Sequence, residues 1–396
     1  MILGLKKNNS DNNLAWTEID LKAIKHNVGE LKKLASKNKF VIASRAKVKS
    51  DLAKMKLLTV VKADAYGHGA GKIAKFLESQ GVEYFGVSDL KEGIQLREAK
   101  IKKPILLFES TLPLFIKDII KYRLTPTICS IEFAKELNDY ALKLKKRIKV
   151  HIKVDTGMSR LGVWHSDAFD FIKKVYDFKQ LDIYGIYTHF PSADTNKKFT
   201  TQQINILSDL VIKLDKKGMI IPFVHASNSM GLSGYKTNVL NLSRPGIMLY
   251  GLYPSANLKN SIKLKPALSV KSKIIFLKSI PKGRGVSYGQ TFVAKKTMKI
   301  ATIPIGYNDG YLRAFSNKAN IIVKGILCPV IGNVTMDQII VDVSKVKNPK
   351  FGMTVTILGR EKGVEVSADN LALYANTINY EILCLLGNRL PKTYIK

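Results

Sequence analysis

Eight short apolar runs, most separated by polar segments of helical pattern, leave few architectures open to this chain. The runs are Leu57–Lys62, Tyr84–Ser88, Ile105–Phe108, Leu124–Ile128, Val150–Asp155, Ile183–His189, Phe223–Ala226 and Asn241–Arg244. Between them, Ala70–Ser79, Leu90–Ala99 and Thr201–Lys216 read as amphipathic helices. Eight strands alternating with helices over about 200 residues predict a (β/α)8 barrel, an α/β fold of typical size ~250 residues. A doubly wound open sheet is the alternative, but no G-x-G-x-x-G follows the first run. After about Leu264 the texture changes to strand-like runs between Gly, Pro and Asn turns: Ser269–Leu277, Lys299–Ile305, Ala319–Val330, Gln338–Val343 and Thr354–Leu358. One good helix is expected there, Ser367–Ala375, with Ser367 as its N-cap. The expected organisation is a barrel over residues 15–262 and a mostly β domain over 263–396. The first strand, about 15–20, is a candidate to join the β domain.

Composition narrows the function classes. A length of 396 residues with 46% hydrophobic content supports a sizeable core. No apolar run approaches the ~20 residues that span a bilayer, and the polar start of the chain lacks a secretory core, so a cytoplasmic location is expected. Cys129, Cys328 and Cys384 have neither disulfide-framework nor metal spacing. The net charge of +33 invites a nucleic-acid reading, but ten of the 64 basic residues are arginine. Base readout leans on bidentate arginine, and the lysines are spread along the chain, so no specific nucleic-acid partner is expected. The lysine-rich stretch Lys39–Lys56 reads as an extended helix or loop outside the barrel.

The polar groups at the ends of the runs point to chemistry. Lys62 ends the first run and opens onto the turn Ala63-Asp64-Ala65-Tyr66-Gly67-His68-Gly69. Lys153 lies in the fifth run and His189 ends the sixth. The seventh ends at His225-Ala226-Ser227-Asn228-Ser229, and the eighth at Arg244-Pro245-Gly246. Barrel enzymes keep their catalytic groups at this end of the strands. Any one of these residues is explicable as a surface lysine or a satisfied core histidine. Together they put like charges on one face, which favours an anionic occupant. Loops after strands seven and eight commonly bind phosphate, and Ser229 with the N–H groups of Gly246 and Ile247 suits one. A lysine facing a phosphate site suggests pyridoxal phosphate held as a Schiff base.

From Trp16 onward the chain resembles the alanine racemase family. The resemblance rests on Ala15-Trp16-Thr17-Glu18-Ile19-Asp20, on Val61 to Gly69, and on Lys153-Val154-Asp155-Thr156-Gly157-Met158-Ser159-Arg160-Leu161-Gly162. It continues through Tyr187-Thr188-His189-Phe190, Asn228-Ser229, Arg244-Pro245-Gly246 and Ser287-Tyr288-Gly289. The last motifs are Ile305 to Gly310, Met336-Asp337-Gln338 and Thr377-Ile378-Asn379-Tyr380-Glu381. The resemblance implies that Lys62 binds pyridoxal phosphate and that Lys62 and Tyr288 are the two catalytic bases. It implies that Tyr66, Ser229, Gly246, Ile247 and Tyr380 bind the phosphate of the cofactor and that His189 and Asn228 are also cofactor-binding. Arg244 would face the pyridine nitrogen, Arg160 the phenolic oxygen and the substrate, and His189 the proton network. Met336 and Asp337 would meet the substrate. Lys153 matches a position carbamylated in many members, where it orients Arg160. A homodimer with composite active sites is implied, Tyr288 and Met336 arriving from the second subunit, as is the supply of D-alanine for peptidoglycan. No metal is implied. Ser159 stands where glycine is common, Asp64 where asparagine is, and Asn333 and Thr335 where arginine and cysteine are frequent.

Racemisation removes a proton from one face of Cα and returns one to the other, so two bases suffice. Arginine stays protonated, so Arg244 leaves the pyridine nitrogen without its own proton and weakens the electron sink, which suppresses side reactions. A decarboxylase of similar architecture would want an acidic residue at that nitrogen and a late cysteine, where this chain has Arg244 and Thr335. A broader-specificity racemase commonly carries an export signal, and a cofactor-carrying regulatory barrel is usually a single domain.

Overall fold

The computed structural model describes residues 13–37, 55–235 and 237–396. Most of the lysine-rich stretch, residues 39–54, lies outside the described residues. The described residues form two compact units, one from 25–37, 55–65, 70–235 and 237–265, the other from 13–24, 66–69 and 266–396.

In the first unit eight parallel strands follow one another around a nearly closed barrel. They are Lys56–Val60, Tyr84–Val87, Ile105–Ser110, Thr125–Ile128, Ile148–Asp155, Leu181–Tyr187, Phe223–His225 and Leu242–Ser243. The last strand pairs with the first, Leu242 against Lys56 and Ser243 against Leu57. Between the seventh and eighth strands no regular ladder forms. Asn241 bridges the gap, its N–H donating to Val224 O at 3.1 Å and its Oδ1 accepting from Val224 N at 2.9 Å. Helices Ala70–Ser79, Leu90–Glu98, Ile131–Lys143, Ala168–Tyr176 and Lys197–Lys216 follow strands and bury one apolar face each. Helix Leu90–Glu98 is capped by Asp89 and helix Ile131–Lys143 by Ser130, whose side chains accept from the N3 backbone N–H. The barrel expected from the apolar runs is the one formed.

Two boundaries differ in a way that matters. The first strand stops at Val60, not at Lys62, and Lys62–Tyr66 form a left-handed helical turn. Ala63, Asp64, Ala65 and Tyr66 all have φ between 51° and 55°. The left-handed helix costs a non-glycine residue roughly 1–2 kcal/mol, so neighbours must hold such a turn in place. The eighth strand is two residues long and ends at Ser243, before Arg244.

The second unit is mostly β. Its largest sheet runs Ile326–Pro329, Asn320–Val323, Thr354–Glu361, Leu268–Lys273, Ala15–Asp20 and Lys392–Ile395, with Val364–Val366 paired to Thr354–Glu361. Ala15–Asp20 is thus an interior strand, antiparallel to Leu268–Lys273 and parallel to Lys392–Ile395. A three-stranded sheet of Phe276–Ile280, Met298–Ile303 and Ile339–Asp342 packs Ile280, Val286, Ala294, Met298, Ile300 and Ile331 into a second core. Ser367 caps helix Ala368–Ala375 as expected. The expectation of one good helix here is corrected by a further one, Asn379–Arg389, which buries Ile382, Leu383 and Leu386. Arg389 at its end pairs with Asp309.

Candidate active site

Strand alternation sends His151 and Lys153 to the same face of Ile148–Asp155, toward the barrel interior. His225 from Phe223–His225 and Tyr187 from Leu181–Tyr187 meet them there. The His225 ring stacks on Tyr187 with centroids 4.6 Å apart. Lys153 Nζ lies 4.5 Å and the Arg244 guanidinium 5.3 Å from the Tyr187 ring centroid, both within cation–π range. Burial pushes the Tyr187 phenol above its usual range, so the ring remains neutral.

Arg244 sits over this layer, 4% exposed. Its Nη1 donates to His225 Nδ1 at 2.8 Å, and its Nη2 to Thr188 O at 2.8 Å and Ala226 O at 2.9 Å, with His189 Nδ1 at 3.3 Å. None of these partners is a carboxylate. Because arginine only donates, Nδ1 of His225 must accept, which places the His225 proton on Nε2. That N–H then donates to His151 Nδ1 at 2.8 Å. Both histidines are neutral: burial and the Arg244 charge hold His151 down to about 3 and His225 well below the usual imidazole range. Gly185 makes room for the pair, since a Cβ there would lie 2.3 Å from His151 Nδ1. Arg244 itself is pulled down to about 10 by burial and so stays charged near neutrality. Its Nε takes no acceptor among the described residues.

Four cations of this unit gather around His189. Burial and then the charges of Arg244, Lys153, Arg160 and Lys62 hold its imidazole well below the ordinary value. Lys153, 5% exposed, is pulled down to about 7 by burial and by Arg244 and Arg160. Near the last two strands, Gly246 N donates to Ser229 Oγ at 3.0 Å, and Ser229, Gly246 and Ile247 are all buried. Asn228 caps the short helix Ser229–Gly234 through Gly231 N at 2.9 Å.

Lys62 is half-buried at the head of the left-handed turn. The turn is held by Ala65 N to Val61 O at 2.9 Å and by Ala70 N to Asp64 Oδ1 at 2.7 Å. Asp64 thereby caps the next helix while adopting a conformation that aspartate tolerates better than most residues. A third tie was not anticipated from the sequence. Glu92 Oε1 accepts from Ala63 N at 2.6 Å and Oε2 from Ser88 N at 2.7 Å. The Asp89-x-x-Glu92 spacing would suggest a local capping box, but the Glu92 carboxylate reaches across to the turn instead. His151 was also missed, although its two-residue spacing from Lys153 was a legible signal.

The second unit places its own candidates. The Tyr66 and Tyr380 rings lie 6.1 Å apart. Tyr288 is 74% and Met336 53% exposed, and Asp337 is exposed as well. One network supports both loops: Asn333 Nδ2 donates to Tyr288 O at 2.7 Å, and Ser287 Oγ to Asn333 O at 2.6 Å. The Met336 loop is braced by Asn308 N to Met336 O at 3.0 Å. Asn333 therefore positions the Tyr288 loop, a role its side chain can fill through its amide. None of the three cysteines forms a disulfide, and among the described residues no cluster of His, Cys, Asp and Glu could hold a metal ion. No described helix is long and apolar enough to cross a membrane.

Family models for the alanine racemase N-terminal domain and C-terminal domain match residues 19–254 and 267–394. The chain is 41% identical over 380 residues to an alanine racemase of Halothermothrix orenii, covering 96% of each. Among solved structures it is similar to alanine racemase of Clostridium difficile 630, with TM-score 0.87, 36% identity, and coverage of 97% and 96% of the two chains. It is also similar to an alanine racemase of Bartonella henselae with covalently bound pyridoxal phosphate, with TM-score 0.81, 27% identity, and coverage of 97% and 100%.

Proposed function

The chain belongs to the alanine racemase family and is an isomerase; from that premise we propose that it interconverts L- and D-alanine with pyridoxal phosphate held by Lys62. The observation that supports this most directly is the buried Arg244, which has no carboxylate among its hydrogen-bond partners and has Lys153 buried close by. Such a set calls for an anionic occupant, since buried charge without a counter-charge is costly. The free Nε–H of Arg244 fits the nitrogen of an aromatic ring. Ser229, Gly246, Ile247, Asn228, Tyr66 and Tyr380 would serve the phosphate group, and Arg160 the phenolic oxygen. The related Bartonella henselae protein with covalently bound pyridoxal phosphate supports the same cofactor here.

When bound, pyridoxal phosphate supplies a sink for the electron pair left when Cα of alanine loses its proton. The residues of the chain do the rest. Lys62 Nζ takes or returns the α-proton on the face of the D-enantiomer, and Tyr288 Oη does so on the face of the L-enantiomer. Arg244 stays protonated and donates, which keeps the ring nitrogen from gaining a proton of its own. His225 accepts from Arg244 and in turn donates to His151, which holds the guanidinium in place. His189 belongs to the proton network serving Tyr288. Arg160 and the Met336–Asp337 loop hold the substrate carboxylate. Lys153, pulled down to about 7, has the neutral amine fraction that carbon dioxide addition requires. Carbamylation would turn it into an anion beside Arg160.

An aromatic base 74% exposed to water is poorly placed for proton transfer at a buried carbon. That exposure supports a homodimer in which Tyr288 and Met336 complete the partner's site. The product D-alanine would feed peptidoglycan synthesis. The test is chiral chromatography of products from L-alanine and from D-alanine. Lys62→Ala should abolish both directions, and Tyr288→Phe should slow conversion from L-alanine more than from D-alanine. Near-normal racemisation by the Lys62 variant would overturn the assignment.

A further inference from the structure

We propose that Glu92 is a positioning residue for Lys62, its carboxylate clamping the left-handed turn by joining the N–H of Ala63 to the N–H of Ser88. The inference rests on the assignment of Lys62 made above. Ala63 N is the atom one peptide bond beyond Lys62, so a bond to it fixes the direction in which the Lys62 side chain leaves the backbone. The bond is 2.6 Å long, and the second, to Ser88 N, is 2.7 Å. Both are charge-assisted when Glu92 is ionised.

The turn needs such a clamp. Ala63 and Ala65 have no side-chain polar group that could stabilise a left-handed conformation, and four consecutive non-glycine residues adopt it. The turn is also tied by Ala65 N to Val61 O and by Asp64 on Ala70 N. Neither of these fixes the first residue of the turn. Glu92 does, from a rigid base: it lies in helix Leu90–Glu98, with its own N–H bonded to Asp89 Oδ1 at 2.9 Å. The Ser88 hydroxyl is engaged elsewhere, on Glu109 Oε1 at 2.6 Å, so only the Ser88 backbone faces the clamp.

The groups around Glu92 pull in opposite directions. Burial and the neighbouring Asp89 charge push its carboxyl above the usual range, while the two N–H donors and the Lys62 charge favour the anion. A glutamine at this position keeps one oxygen acceptor and puts an amide NH2 where the second N–H needs an acceptor. Glu92→Gln therefore breaks the clamp while preserving side-chain volume.

The test is hydrogen exchange on the cofactor-loaded, full-length protein, read peptide by peptide, together with steady-state kinetics. In Glu92→Gln, exchange of the amides in residues 61–66 should accelerate on the order of tenfold, the loss expected of one charge-assisted hydrogen bond. Peptides from Ile148–Asp155 and Asn379–Arg389 should keep wild-type exchange. The kcat should fall on the order of tenfold with KM for alanine little changed. Glu92→Asp, which keeps the charge but shortens the reach, should fall between the two and provides the test if the glutamine variant does not fold. Wild-type protection at 61–66, unchanged kcat, or a uniform loss of protection throughout the chain would each overturn the proposal. Failure of the Lys62 assignment is separable: Lys62→Ala would then keep racemase activity, whereas the exchange effect of Glu92→Gln would remain.

Discussion

Gly185→Ala tests whether the two buried histidines back Arg244. The new Cβ would lie 2.3 Å from Nδ1, 2.4 Å from Cε1 and 2.7 Å from Cγ of His151. To restore ordinary contact the imidazole must retreat by about an ångström, because real Cβ atoms rarely come nearer than ~3.4 Å to a neighbour. His151 Nδ1 and His225 Nε2, now 2.8 Å apart, would then pass beyond hydrogen-bond range. Overpacking a filled interior costs about 1–3 kcal/mol. Leaving the His225 N–H unpaired in a buried site costs about 1–3 kcal/mol more. The total, roughly 2–6 kcal/mol, corresponds to a fall in Tm of about 5–15 °C for a domain of this size. Thermal melting with and without pyridoxal phosphate is the assay, with Gly29→Ala as control. A Cβ at Gly29 meets nothing within 4 Å, in helix Leu21–Ser36, so that change should be neutral or slightly stabilising. Racemase activity should fall with the Gly185 variant, because His225, the acceptor of Arg244, loses the partner that fixes its ring. A variant that melts within about a degree of wild type, with unchanged histidine NMR signals, would refute the relay.

Two further outcomes follow from other residues. Ser159 holds φ 56°, a left-handed value that glycine adopts without strain, so Ser159→Gly should stabilise the protein by about 1 kcal/mol in urea unfolding. Lys153 has a native value of about 7, below its ordinary 10.5, so between these values the unfolded chain binds more protons than the native one. Stability from this group therefore rises with pH from about 7 toward 10.5. In buffer free of carbon dioxide, Lys153→Met should flatten that rise in the urea midpoint, and parallel profiles would contradict it.

The sequence makes the barrel legible because its strands are short apolar runs with helical segments between most of them, a pattern that local physics alone produces. The positions of Lys153, His225 and Arg244 at or near the ends of their apolar runs likewise pointed to one face. The left-handed turn at Lys62 was illegible for the opposite reason. Of Ala63, Asp64, Ala65 and Tyr66 only Asp64 tolerates that conformation readily, and what holds it includes Glu92, 29 residues away from Ala63. The role of Glu92 was hidden further by a spacing that mimics a local cap. Helix Asn379–Arg389 was overlooked because its start was read as a site motif, although Ile382, Leu383 and Leu386 keep a helical period. The tautomers of His151 and His225 follow only from distances, since they depend on which nitrogen meets an arginine.

Reductive trapping shows which lysine holds the cofactor. Sodium borohydride reduction of the protein purified with pyridoxal phosphate, followed by protease digestion and peptide mass mapping, tests the assignment of Lys62 directly. A phosphopyridoxyl adduct is expected on the peptide containing Lys62 and should be lost in Lys62→Ala, with every other lysine unmodified at stoichiometric cofactor. An adduct on a different lysine, or none in a preparation that racemises alanine, would contradict the assignment.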